Sequence, residues 1–110
     1  MLVFEAAAMG VEPWIELSYG NPAITGGGSI GPGAGVPTSP EALAAFGNWT
    51  EAAVQRYGNV TYAWEIWNEP KLDESDYEPY ATLAATVCQA LYKGWHAQGS
   101  PGRAPRIFYG

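Results

Sequence analysis

Apolar and polar positions along the chain change period several times, and each change marks an element. Residues 2–9 are mostly apolar and close at Gly10, which suits the residue just past a helix end. The alternation from Val11 to Tyr19 then reads as a strand, with Pro13 tolerable near its start. Thr38-Ser39-Pro40-Glu41 announces a helix through a hydroxyl cap, a proline in the first turn and an acid near the positive end of the dipole. Leu43, Phe46, Ala53 and Tyr57 follow at near-helical spacing until Gly58. The β-branched and aromatic run from Val60 to Trp67 predicts a second strand. A long helix is expected over 76–96, with Pro79 in its first turn. Tyr80, Leu83, Ala84, Val87, Cys88, Leu91 and Trp95 form its buried stripe. Residues 105–110 read as the beginning of a third strand.

Strand and helix therefore alternate, which predicts a parallel sheet with crossover helices. Two α/β architectures satisfy the order: a doubly wound open sheet, or a segment of a (β/α)₈ TIM barrel. Periodicity does not separate them. Between Asn21 and Pro37 lies a loop dominated by Gly and Pro, and a loop of that length inside a compact domain is more often functional than idle.

Composition narrows the chemistry. With 47% apolar and only 15% charged residues, the chain has the makings of a folded domain. Eleven acids against five bases, with no run of Lys and Arg, argue against nucleic acid or an anionic membrane surface as partner. No apolar stretch approaches the ~20 residues of a membrane span, and the first ten residues lack the pattern of a signal peptide. A lone cysteine, Cys88, and a lone histidine, His96, leave no metal cluster. Cys88 reads as core, and His96 as a complement to the helix dipole. No cofactor is implied. Gly26 to Gly31 fits G-x-G-x-x-G after a strand, but Pro32-Gly33 follows and the next helix begins only near Pro40. A dinucleotide site needs the helix to open within the motif, so the match reads as chance. Asn48-Trp49-Thr50 and Asn59-Val60-Thr61 fit the glycosylation sequon inside or beside the first long helix and are discounted.

The second strand ends in Trp64-Glu65-Ile66-Trp67-Asn68-Glu69-Pro70. Here the chain resembles glycoside hydrolase clan A, whose fourth barrel strand ends in Asn-Glu, often followed by Pro. The aromatic-rich form is most similar to family 39, the β-xylosidase and α-L-iduronidase group. Gly10 to Pro22, Ala44 to Trp49 and Gln55 to Gly58 are similar to that group's third strand and following helix. The resemblance spans nearly the whole chain, 1–110. It implies a partial catalytic barrel, from about strand three to the start of strand five, with no separate domains.

That resemblance implies retaining hydrolysis of O-glycosidic bonds, which requires two carboxyl groups about 5–5.5 Å apart. Glu69 takes the part of the general acid/base, and apolar surroundings would raise its pKa toward the working range. Asn68 looks like the clan's ligand for the sugar 2-hydroxyl, Trp67 a wall of the cleft, and Tyr19 a further sugar contact. Pro70 favours an extended Glu69. The clan's nucleophile closes strand seven, so it falls outside this chain and the chain alone is expected to be inactive. The implied partners are a carbohydrate substrate and the remainder of the barrel. If Glu69 faces the barrel interior, Glu65 faces it too, lower down, where an ion pair with a base from elsewhere suits it better than catalysis. Two other readings stay open: a non-catalytic carbohydrate-binding or assembly protein built from a partial barrel, and a small open-sheet domain whose Asn-Glu-Pro is coincidental.

Overall fold

A computed structural model describes residues 2–18, 36–68 and 77–110. The elements run α1 (Leu2–Ala8), β1 (Trp14–Leu17), α2 (Pro40–Tyr57), β2 (Ala63–Ile66), α3 (Tyr77–Ala97) and β3 (Arg106–Tyr109). The three strands form one parallel sheet in the order β1-β2-β3, with Trp14, Ala63 and Arg106 in one register row and Glu16, Glu65 and Phe108 in another. The expected α/β alternation is therefore present, with a fully parallel sheet.

Local chemistry explains most boundaries. Gly10 closes α1 at φ 81°, with its own N–H on the Ala7 carbonyl and that of Val11 on Ala6. That pair of bonds is a Schellman motif, and only glycine takes the required left-handed turn without strain. Gly99 repeats it after α3 at φ 78°, through Gly99 to His96 and Ser100 to Trp95. At the start of α2 the Ser39 hydroxyl accepts from the Ala42 amide at 3.1 Å, the cap anticipated from the sequence. Gly58 follows α2 with a right-handed φ of −64°, so its role there needs no glycine conformation.

The strands are shorter than their apolar runs. Val60 and Thr61 donate to the Tyr57 carbonyl and belong to the turn after α2, so β2 opens only at Ala63. It closes before Trp67, whose φ of 62° cannot continue a strand. In β1, residues 11–13 precede the ladder, and Tyr19 lies outside the described residues.

The core occupies one side of the sheet. Trp64 and Ile66 of β2 are fully buried against Phe46 and Val54 of α2 and Leu83, Val87 and Leu91 of α3. The α3 stripe is the one the spacing predicts. On α2 the deepest row is instead Ala42, Phe46, Thr50 and Val54, while Leu43, Ala53 and Tyr57 are half-buried beside it. Small and hydroxyl-bearing residues let the helices approach closely, a preference invisible to a count of large apolar side chains. Trp14, Glu16, Ala63, Glu65, Arg106 and Phe108 occupy the other face, and of these only the small Ala63 is buried. Among the described residues no helix is long and apolar enough to cross a membrane.

The tightest approach between α2 and α3 is at Gly94. A Cβ there would lie 2.3 Å from Val54 Cγ1 and 3.0 Å from the Glu51 carbonyl oxygen. Lys93 pairs with Glu51 at 3.2 Å on the exposed rim of the same crossing. Gly94→Ala forces the helices apart and should destabilise the fold by about 1–3 kcal/mol, read as a lower urea midpoint. Lys93→Ala, which breaks only a largely exposed pair, should cost under about 1 kcal/mol in the same assay.

Candidate functional site

The carboxyl ends of the three strands converge on the exit of β2. The Ile66 carbonyl accepts the Gly110 amide at 3.1 Å and the Tyr80 hydroxyl at 3.2 Å. One residue on, the Trp67 amide donates to the Leu17 carbonyl at 2.8 Å. Residues from β1, from just after β3 and from the first turn of α3 thus all grip the carboxyl end of β2. Glu69 and Pro70 themselves lie outside the described residues, as does Tyr19.

Trp67 is 3% exposed and belongs to the core, its ring 6.3 Å from that of Phe46. The anticipated cleft wall is therefore packed away beneath the sheet end. Asn68, the next residue, is half-buried. The turn between them follows from the left-handed backbone at Trp67.

Below this exit, on the sheet face away from the core, Glu16 and Glu65 stand directly opposite each other in register. The Ser18 hydroxyl donates to the Glu16 carboxylate. Among the described residues no cation lies within ion-pairing distance of Glu65. Two acids in register repel one another, so a group bringing positive charge to this face would be stabilising. Beside them the Trp14 and Phe108 rings meet at 4.3 Å across the row occupied by the small Ala63, and the Arg106 guanidinium lies 5.4 Å from the Phe108 centroid. Trp14 remains 56% exposed. The spacing of apolar residues gave no hint of this ring pair, because it depends on strand register.

Other chemistry-bearing residues sit elsewhere. Cys88 is half-buried at the margin of the core, with Sγ 3.8 Å from the Tyr109 hydroxyl. That contact pushes the Tyr109 phenol above its ordinary range. His96 is exposed in the last turn of α3, its Nδ1 2.9 Å from the Ser100 hydroxyl, next to the Trp95 ring. At the amino ends of the strands a cavity of about 290 Å³ is lined by Glu12, Tyr62 and Arg103 among others. Its guanidinium is already engaged, paired with Glu12 and stacked 3.5 Å from the Tyr62 centroid. Such a clasp ties the segments before β1 and β3 together, at the end opposite the motif. Among the described residues no group of three His, Cys, Asp or Glu could hold a metal.

Burial pushes the Tyr80 phenol above its ordinary value, and the nearby Glu65 carboxylate adds to the rise, while the Gly110 amide draws it down. A raised phenol contributes stability that is complete below the unfolded value of about 10 and is lost as pH rises through the folded one. The wild-type chain should therefore lose stability on the alkaline side of pH 10. Tyr80→Phe should show a shallower alkaline decline and, at neutral pH, a cost of about 0.5–1.5 kcal/mol for the lost bond to Ile66. Chemical denaturation at a series of pH values measures both.

Comparison of the chain with protein-family models, with curated proteins and with solved structures finds no match to any of them.

Proposed function

We propose that the chain is part of the (β/α)₈ barrel of a clan A retaining glycosidase, similar to family 39, in which Glu69 is the general acid/base. Asn68 orients the sugar through its 2-hydroxyl, and the nucleophile comes from a strand beyond this chain. The observation that carries this reading is that Trp64-Glu65-Ile66 of the motif form the middle strand of a parallel sheet, and that Trp67 and Asn68 leave it at its carboxyl end. Barrel enzymes draw their catalytic residues from that end of the strands.

The layering adds support. In a doubly wound sheet helices cover both faces, whereas in a barrel they cover the outside alone. Here the core lies on one face, and the strands follow one another in sequence order without a reversal. Parallel sheets are almost always covered on both sides. In the barrel the face bearing Glu16, Glu65, Trp14 and Phe108 would be the interior, filled by the remaining strands, and a base from one of them would answer the two acids. The chain alone would not hydrolyse glycosides, because retention needs the second carboxylate.

The same face favours a second reading. Paired, partly exposed rings beside carboxylates suit a sugar, whose C–H faces stack on aromatics while its hydroxyls bond the acids. In that reading the chain is a non-catalytic carbohydrate-binding protein, and its ligand lies across Trp14 and Phe108.

Reading the coding sequence on both sides of this frame, and expressing the whole frame, distinguishes them. The glycosidase reading expects a Glu closing a seventh strand and hydrolysis of 4-nitrophenyl β-D-xyloside with retained configuration. Glu69→Ala should then lower the rate by about 10²–10⁴, with partial rescue by azide as an external nucleophile. A frame without such a Glu, or a rate indifferent to Glu69→Ala, sinks the enzyme. Binding of xylotriose by the 110-residue chain, lost in Trp14→Ala, would install the binding protein in its place.

A further inference from the structure

Trp67 is a bulky residue in the left-handed region, at φ 62°, and it sits immediately before Asn68 and Glu69. Side chains other than those of Gly, Asn and Asp rarely adopt that conformation, and where they do the surroundings must hold them there. Four constraints converge on it. The Trp67 amide is fixed by the Leu17 carbonyl of β1. The preceding Ile66 carbonyl is fixed twice, by the Tyr80 hydroxyl of α3 and by the Gly110 amide after β3. The indole is buried in the core against Phe46. Gly110 also lies so close that a Cβ on it would stand 2.3 Å from the Trp67 carbonyl oxygen and 2.9 Å from its carbon.

These constraints act on different atoms. Burying the indole directs the side chain down into the core. Fixing the amide and the carbonyl before it leaves little freedom in the peptide planes on that side. Gly110, with no Cβ, leaves the room that the Trp67 carbonyl occupies. The left-handed turn at Trp67 meets all four together and breaks the extended line of β2. We infer that Trp67, clamped by Tyr80 and Gly110, is the positioning residue that aims Asn68 off the end of the sheet. Its contribution is made through the backbone, with no contact to sugar. For what the aimed Asn68 does, this inference rests on the glycosidase reading. The clamp itself is a statement about the backbone and is tested separately.

Nuclear magnetic resonance on the isotope-labelled 110-residue chain supplies the first readout. A strong intraresidue HN–Hα Overhauser effect at Trp67 marks the positive φ. Tyr80→Phe removes one hydroxyl, and Gly110→Ala adds one methyl. Each should weaken that signature and shift the amides of residues 66–68, while the α2 and α3 amides stay in place. A wild-type chain without the signature, or one in which both variants keep it at full strength, overturns the clamp.

Titration with xylotriose of the protein expressed from the whole frame is the second readout. Asn68→Ala and Tyr80→Phe should each weaken binding about tenfold or more. Trp67→Phe, which keeps a buried ring, should stay within about threefold of wild type, and Trp67→Ala should not. If Tyr80→Phe binds as well as wild type while Asn68→Ala fails, the aiming role is wrong and the glycosidase reading stands. If wild type does not bind xylotriose, or Asn68→Ala binds it equally, the glycosidase reading falls and with it the purpose assigned to the clamp.

Discussion

Everything described in this chain hangs on the burial of Trp64 and Ile66. These two side chains of β2 sit at zero exposure beneath both long helices, and their strand is hydrogen-bonded to a neighbour on each side. Each such burial is worth about 1.5–3 kcal/mol relative to exposure. It also fixes orientation: because side chains alternate, burying Trp64 and Ile66 turns Ala63 and Glu65 to the opposite face. The helix crossing at Gly94 and Val54 is the second half of the same constraint. It sets how deeply α2 and α3 can settle over the strand.

That core carries a cost. Trp64 Nε1 and Thr50 Oγ1 are both buried without a hydrogen-bond partner among the described residues. A buried polar group left unsatisfied is unfavourable by about 1–3 kcal/mol. Trp64 nonetheless fills more of the core than any other fully buried side chain. Its apolar surface offsets the orphaned N–H. Thr50 is tolerated because its small side chain lets the helix sit low over the sheet, in line with Phe46 and Val54.

From the core outward, the exit of β2 is where packing turns into candidate chemistry. The sheet ladder ends at Ile66, and the next residue departs from extended geometry. Its ring is drawn into the core, and strand β1, the residue after β3 and helix α3 all bond to the backbone there. A segment held from three directions at a strand's carboxyl end is the kind of scaffold on which a positioned pair of polar side chains can work. The opposite ends of the strands carry a different device, the Glu12–Arg103–Tyr62 clasp, which joins segments distant in sequence.

The amino-acid sequence determined the order of elements, the ends of the helices and the location of the motif. Those features depend on local physics: Ser39 caps α2, Gly10 and Gly99 supply left-handed turns, and the 3.6-residue spacing on α3 marks its buried stripe. Its aromatic run also placed Asn68 at a strand end by resemblance. The tertiary structure alone decided the rest, because each remaining feature needs two distant segments at once. Val60 and Thr61 looked like strand and became turn when their amides found Tyr57. Val54 emerged in the buried row of α2 only once Gly94 was across from it. Trp67, expected as a wall of the cleft, has its ring in the core, since a left-handed backbone at one residue reverses where a side chain points. Register did the same for the open face, setting Glu16 against Glu65 and Trp14 against Phe108, pairs that no spacing along the chain reveals.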